Sequence, residues 1–171
     1  MSPTLAPRLL TAATIELLYS PGVVVHVATR DASLRPHLAY AYGCRVDSAG
    51  ARITVGLMQR ASLAVLTDIH VNPAVALVAC NIRTFQTMQL KGGDGQLAPA
   101  DDDLKRRAAE YQRSFVEVSA ELAYTRPVME RHMAVDLDDL TALTFTVCAA
   151  FVQTPGPGAG APLPAASGGA A

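Results

Sequence analysis

The sequence predicts a mainly β fold with peripheral α-helices, built on a six-stranded antiparallel barrel. Two observations carry this prediction. Short runs rich in Val, Ile and Thr follow one another between residues 22 and 92, and turns of Gly, Pro, Asn and Asp separate them. A helical pattern interrupts these runs only once, after the third. The chain has 171 residues, half of them hydrophobic, which suffices for one domain with a substantial core.

The first elements form a helix followed by a three-stranded meander. Apolar residues recur at loosely helical spacing from Thr4 to Tyr19, and Pro21-Gly22 ends this pattern. Residues 23–29 and 36–46 are extended runs joined by a polar turn, which predicts a hairpin. Residues 52–58 alternate apolar and small or polar side chains, so they form the third strand.

A short helix connects this meander to a second strand pair. Ser62 is suited to cap the helix, and Asn72-Pro73 ends it. Residues 74–80 and 84–91 then read as the fourth and fifth strands. The Gly-rich sequence 92–95 is interpreted as a turn rather than a phosphate cradle, because it does not open directly into a helix.

The C-terminal part supplies a longer helix and the closing strand. Three aspartates at 101–103 favour the start of a helix that runs to about Tyr124. Leu143 to Thr154 alternates as a sixth strand that can close the barrel. We therefore predict a folded domain over residues 1–154. The remaining residues, 155–171, are almost all Gly, Pro, Ala or Ser, which predicts a disordered tail.

Composition argues against several classes of partner. The net charge is -1 and no basic cluster is evident, which disfavours nucleic acid. No apolar run approaches the roughly 20 residues that span a membrane, and the N-terminus does not resemble a signal peptide, so we expect a cytoplasmic protein. The three cysteines are widely spaced in apolar runs, which predicts buried, reduced thiols.

No common catalytic motif is present in the sequence. The four histidines lack the short spacing of metal ligands, so no metal site is predicted. His26 lies in an apolar strand and is interpreted as a core or interface residue. The acidic clusters at 101–103 and 136–139 lack the spacing of a calcium loop, and capping or solvation explains them better.

The order of elements resembles that of the pyridoxamine 5′-phosphate oxidase-like split barrels, which are FMN-binding homodimers. Four segments carry the resemblance: residues 27–31 (VATRD), 35–37 (RPH), 66–77 (LTDIHVNPAVAL) and 89–92 (QLKG). The resemblance covers residues 21–92 well. From there to Val152, only the order of the elements is similar. The resemblance implies a six-stranded antiparallel split β-barrel with flanking helices.

The resemblance also implies where a flavin would bind. Its phosphate would lie at the loop after the third strand, here Gln59 to Ser62. Arg60 could pair with phosphate through its planar fork, and Ser62 could donate its hydroxyl beside the helix N-terminus. A surface arginine beside an ordinary helix cap explains the same residues and stays open as an alternative.

Other residues would line the flavin ring if the resemblance holds. The second strand would contribute His37 through Tyr40, and the fifth strand would contribute Gln86, with Gln89 and Lys91 as alternates. Gln86 and Lys91 are separated by an odd number of residues. They therefore face opposite sides of a regular strand, and both cannot line one pocket without a bulge.

Two departures from the family pattern shape the functional prediction. The first turn of the short helix reads Leu63-Ala64-Val65, without the basic residue common in the family, and Trp is absent from the chain. Vitamin B6 oxidation is therefore not expected. The prediction is an FMN-dependent oxidoreductase acting on a small-molecule substrate or electron donor as a homodimer. The alternatives are a non-catalytic dimeric sensing domain, or binding of haem or a deazaflavin, for which His26 or His37 is the only hint.

Overall fold

The computed structural model describes residues 9–164, which form four helices and eight strands. The elements are α1 (Ala12–Tyr19), β1 (Val23–Arg30), β2 (Pro36–Val46), β3 (Arg52–Met58), α2 (Leu63–Val71), β4 (Val75–Asn81), β5 (Thr87–Gly92), β6 (Gln96–Pro99), α3 (Asp102–Glu121), α4 (Arg126–His132), β7 (Leu140–Thr146) and β8 (Ala149–Val152). Most of the predicted elements are confirmed.

All eight strands belong to one curled antiparallel sheet in the order β6-β7-β3-β2-β1-β4-β5-β8. Val147 and Cys148 connect β7, which lies next to one edge of the sheet, directly to β8, which forms the opposite edge. Asp94 reinforces this junction by accepting hydrogen bonds of 2.7 Å from both the backbone nitrogen and the hydroxyl of Thr146. The sheet consequently curls into a half-barrel, which we call the barrel.

The barrel encloses one apolar core, and a second core lies outside it under α3 and α4. Inward-facing side chains alternate with outward-facing ones along β1 and β4, as the predicted period of two requires. The barrel core contains fully buried residues such as Val27, Ile53 and Leu77. The outer core is formed by Tyr42, Leu104, Ala108, Phe115, Val116, Met133, Leu140 and Ala142. The outer face of β2 and β7 is thus covered by helices.

Gly43 permits the close approach of α3 to β2. The pairing of β2 with β3 shifts register between Tyr42 and Cys44, and Gly43 adopts a φ of +68° at this bulge. A Cβ atom on Gly43 would lie only 2.8 Å from the backbone nitrogen of Ala108. Only glycine suits both the backbone angle and the contact.

The prediction of six strands is wrong, since the sheet has eight. The sequence pattern indicates neither the short strand β6 nor the division of the last predicted strand into β7 and β8. β6 is four residues long and includes a proline, and it pairs only with the distant β7. The predicted final strand, residues 143–154, is two strands, since the chain changes partner from β3 to β5 near Cys148. Both features depend on pairing between residues far apart in sequence.

Two further boundaries differ from the prediction. The long helix ends at Glu121, before the predicted Tyr124, and Pro127 lies in the first turn of a separate helix, α4, where a missing backbone N–H costs nothing. The chain between β4 and β5 makes a longer turn than predicted, with Phe85 at a φ of +57°, so β5 begins at Thr87. Gln86 therefore lies in the turn and not in a strand.

The chain beyond Thr154 remains in contact with the barrel as far as the structure describes it. The backbone nitrogen of Val152 donates to Ala161, and that of Leu163 donates to Ala150. Leu163 also packs against the barrel core. This part of the predicted disordered tail therefore pairs with β8, whereas residues 165–171 lie outside the described residues, as does Thr4, where helix α1 was predicted to begin.

The three cysteines differ in their surroundings. Cys44 is buried, and burial raises the pKa of its thiol to about 12. Cys80 is half-buried and Cys148 is exposed, so the prediction that all three are buried is wrong. None of the helices formed by residues 9–164 is both long and apolar enough to cross a membrane.

Candidate functional site

The outer face of strands β2, β1, β4 and β5 lies on the side of the sheet away from the barrel core. The strand register aligns one row of outward side chains across it. Tyr40 pairs with His26, His26 with Val78, Val78 with Gln89, and Gln89 with Phe151. The row begins and ends with an aromatic ring and carries no formal charge apart from the titratable His26.

A cavity of about 290 Å³ opens at the Tyr40 end of this face. We call it the Tyr40 cavity. Its wall is formed by β1, β2 and the loop before α2, through His26, Leu38, Ala39, Tyr40, Tyr42, Ala61 and Ser62. The volume is slightly below the roughly 300–1,000 Å³ typical of ligand pockets. A ligand larger than this cavity would extend over the neighbouring sheet face.

Three rings build an aromatic wall beside the cavity. The rings of His26 and Tyr40 have centroids 4.4 Å apart, and those of Tyr40 and His132 are 5.6 Å apart and nearly perpendicular. His132 Nε2 lies 3.4 Å from the Tyr40 hydroxyl oxygen. Burial lowers the pKa of His26, which favours its neutral form at neutral pH. Such a wall can stack against a flat, conjugated ligand.

The loop from Gln59 to Ser62, which is the predicted phosphate site, borders the cavity through Ala61 and Ser62. Ser62 is buried at the start of α2 and lines the Tyr40 cavity. Arg60 precedes it but points its donors elsewhere. Its Nε lies 3.0 Å from Asp139 Oδ1, and its Nη2 lies 2.5 Å from Asp136 Oδ2. The guanidinium is thus held by two carboxylates.

This donor set fits the ring of a flavin better than its phosphate. The aromatic wall suits a planar ring system. At the other end, the single cation of the loop already has two acidic partners, and Leu63, Ala64 and Val65 supply no further positive charge. A phosphate carrying nearly two negative charges would meet a region with an excess of carboxylates.

The remaining predicted contacts lie in three different places. Gln59 lines a separate groove with Leu63, Leu97 and Lys105. Gln86 lies near α1 and the end of β8. Lys91 points outward from β5, with its Nζ 5.0 Å from the centre of the Phe151 ring. The structure therefore brings Tyr40 and Ser62 together in one cavity and leaves Gln86 and Lys91 apart from it.

His37 is half-buried and contacts a buried polar pair, Thr29 and Asp68, between α2 and the barrel. Asp68 Oδ2 accepts a 2.6 Å hydrogen bond from the Thr29 hydroxyl and lies 2.8 Å from His37 Nδ1. An ionised carboxylate only accepts hydrogen bonds, so Nδ1 carries the proton. Burial raises the pKa of Asp68, but the hydrogen bonds from Thr29 and His37 and the charge of His37 outweigh it, and the net pKa lies below the ordinary value.

Sequence reasoning overlooked several residues of this region. Asp68 carried a usable signal, because Val65, Asp68 and Ile69 occupy one face of α2 and all three are buried. His26 was interpreted as a core or interface residue, although its place opposite Tyr40 follows from the hairpin register. His132 and Asp139 carried no signal, since their partners lie some eighty to ninety residues away.

Comparisons with known proteins identify the fold. No protein-family model and no curated protein matches the sequence. A solved candidate pyridoxamine 5′-phosphate oxidase from Lactobacillus delbrueckii is similar with a TM-score of 0.52 at 15% identity, covering 86% of this chain and 97% of that one. A general stress protein 26 relative of the pyridoxinephosphate oxidase family from Clostridium acetobutylicum gives 0.50 at 18%, covering 84% and 87%.

A solved F420 reductase is similar to the same extent. Its TM-score is 0.50 at 16% identity, and the alignment covers 79% of this chain and 94% of that chain. Identities this low establish a shared fold and leave the activity to be argued from the site itself. The split-barrel fold predicted from the order of elements is confirmed.

Proposed function

We propose that this chain, which has the fold of the pyridoxamine 5′-phosphate oxidase-like split barrels, binds a flavin in the Tyr40 cavity and acts as an oxidoreductase. The observation that carries the proposal is the aromatic wall of His26, Tyr40 and His132 beside the buried Ser62. A bound flavin would supply the redox chemistry, and the protein would supply binding, orientation and electrostatics. The fold shared with an F420 reductase accords with a flavin or deazaflavin ligand.

The absorbance spectrum of the protein provides the first test. We expect purified protein, alone or after titration with flavins, to show the visible bands of an oxidised flavin altered by binding. A haem would instead give an intense Soret band, so the same spectrum separates the two cofactor classes. Protein that is folded, colourless and unaffected by every flavin would refute the proposal.

Replacing Tyr40 by alanine tests the location of the ring. We expect flavin affinity to fall by about tenfold, because the variant loses the face on which the ring would stack. Fluorescence quenching during flavin titration measures the change. Tyr124→Ala provides the control, since Tyr124 is also exposed but lies in the turn between α3 and α4. Equal affinities for the two variants would place the flavin elsewhere.

We also propose that the outer sheet face joins two subunits. Leu38 lies at the edge of the Tyr40 cavity and is 66% exposed, and apolar side chains continue across β1 and β4. A second subunit packed there would cover this surface and enlarge a cavity that is small for a whole flavin.

Changing Leu38 to glutamate is expected to convert the dimer to a monomer and to weaken flavin binding with it, because a charge would be buried at the interface. Light scattering gives the mass. Leu34→Glu is the matched control, because Leu34 is 67% exposed but lies in the hairpin loop beyond the strands. A wild-type protein that is monomeric at all concentrations would contradict the proposed dimer.

A binding or sensing protein without catalysis is the second candidate function. The pairing of Arg60 with Asp136 and Asp139 favours it, since an anion site without a free cation would hold a phosphorylated cofactor weakly. The two functions differ in turnover. Reduction of bound flavin by NADH or NADPH, followed by reoxidation with an acceptor, would exclude the non-catalytic alternative.

A further inference from the structure

The segment from Asp136 to Asp139 is joined to the loop after β3 by several hydrogen bonds. The backbone nitrogen of Gln59 donates to the carbonyl of Asp139 at 2.8 Å. The backbone nitrogen of Arg60 donates to Asp139 Oδ2 at 3.2 Å, while Arg60 Nε donates to Oδ1 of the same carboxylate. Asp139 therefore binds both the main chain and the side chain of Arg60.

The position of Asp139 is fixed by the sheet. Met58, the last residue of β3, pairs with Leu140, the first residue of β7. Gln59 and Arg60 continue one of these strands, and Asp139 precedes the other, so they meet where the paired strands end. The Asp139 side chain is only 12% exposed. Because the carboxylate is held at this junction, a ligand could separate the pair only by moving the Arg60 side chain, which is 76% exposed.

The charges at this end of the site sum to a negative value. Arg60 contributes one positive charge, and its partners Asp136 and Asp139 contribute two negative ones. Asp138 and Lys105, whose charged atoms lie 3.6 Å apart, add one charge of each sign. A phosphate would therefore compete with two carboxylates for one guanidinium, and like charges disfavour that exchange.

Hydroxyl groups suit the same position better than phosphate does. A carboxylate only accepts hydrogen bonds, and a hydroxyl is a donor that brings no charge. The Asp136 side chain is 50% exposed, so it can accept from a ligand while it contacts Arg60. Ser62, on the same loop, lines the Tyr40 cavity and offers a further neutral polar group.

We propose that Asp136 and Asp139 determine the ligand preference of this protein, so that it takes a flavin with a neutral polyol tail, such as riboflavin, in preference to the phosphorylated FMN. This inference rests on the proposed flavin site and specifies its ligand. It also accounts for the missing basic residue in the first turn of α2, since a neutral tail requires no second cation.

Parallel titrations with riboflavin and FMN test the inference in the full-length protein. We expect the wild type to bind riboflavin about tenfold more tightly than FMN, as the like-charge repulsion predicts. The difference is expected to shrink as salt is added, because Asp136 is exposed and its charge is screened. FMN binding as tightly as riboflavin in the wild type would overturn the inference.

Replacing single aspartates by asparagine identifies which carboxylates cause the preference for riboflavin over FMN. Asp136→Asn is expected to raise FMN affinity several-fold and to change riboflavin affinity little, because the amide oxygen of asparagine still accepts a hydrogen bond from a hydroxyl. Asp138→Asn is the matched control, because it removes the same charge only two residues further along the chain. The Asp138 side chain is 98% exposed and contacts Lys105. An unchanged ratio of affinities in Asp136→Asn would overturn the inference. If folded protein binds neither flavin in any variant, the proposed function itself fails.

Discussion

Replacing Gly43 by alanine is expected to destabilise the protein by about 3 kcal/mol, one of the two largest effects we predict for a single substitution. The residue carries a φ of +68°, which costs a non-glycine residue about 1–2 kcal/mol. The added Cβ would also lie 2.8 Å from the backbone carbon of Arg107, where a backbone atom of a long helix cannot move aside alone. Overpacking of this kind typically costs about 1–3 kcal/mol.

Urea denaturation measures this loss as a shift of the unfolding midpoint at an unchanged slope. Gly93→Ala is the matched control, because a Cβ at Gly93 would meet no atom within 4 Å. We expect that variant to unfold like the wild type. A Gly43→Ala variant of unchanged stability would mean that α3 does not lie against the β2 bulge.

The strands near the N-terminus could be predicted because their signals are local. In β1 the buried and partly exposed residues alternate without interruption until Arg30, and β4 repeats the pattern. The turns from β1 to β2 and from β2 to β3 contain the expected polar residues. Antiparallel neighbours joined by short turns need no information from distant parts of the chain, so sequence reasoning gave nearly correct bounds for them.

The curl of the sheet into a half-barrel depends on contacts that sequence periodicity does not encode. Leu143 and Phe145 face the barrel core while Ala142 packs under α3, so β7 is buried on both faces and its alternation is obscured. The transition to β8 is determined by the pairing of Lys91 with Ala149. A single continuous strand was therefore predicted where the structure has two.

The sequence indicates the position of some residues of the candidate cavity but not the surroundings of others. Tyr40 and Ser62 lie on elements whose order resembles a known fold, and both line the cavity. The environment of Arg60 was not predictable, because Asp136 and Asp139 reach it only when β7 pairs with β3. A basic residue in a loop therefore indicates an anion site only when it is known whether carboxylates already pair with it.

Replacing Asp68 by alanine is expected to cost about 3 kcal/mol at neutral pH, comparable to the effect at Gly43. The substitution removes a buried charge that accepts from Thr29 and contacts His37, and it leaves both polar groups without their acceptor. Thermal or urea unfolding measures the loss. Asp138→Ala serves as the control, because it removes an exposed carboxylate and is expected to change stability by less than about 0.5 kcal/mol.

The pH dependence of an Asp68→Asn variant separates the role of the charge from that of packing. Asp68 has a pKa below its ordinary value in the folded state, so the unfolded chain binds a proton there more readily. Its stabilisation is complete above the ordinary pKa of about 4 and is lost as the pH falls through the folded pKa. The stability difference between wild type and Asp68→Asn should therefore narrow below about pH 4. A difference that stays constant down to the lowest pH would show that the carboxylate contributes by its shape and not by its charge.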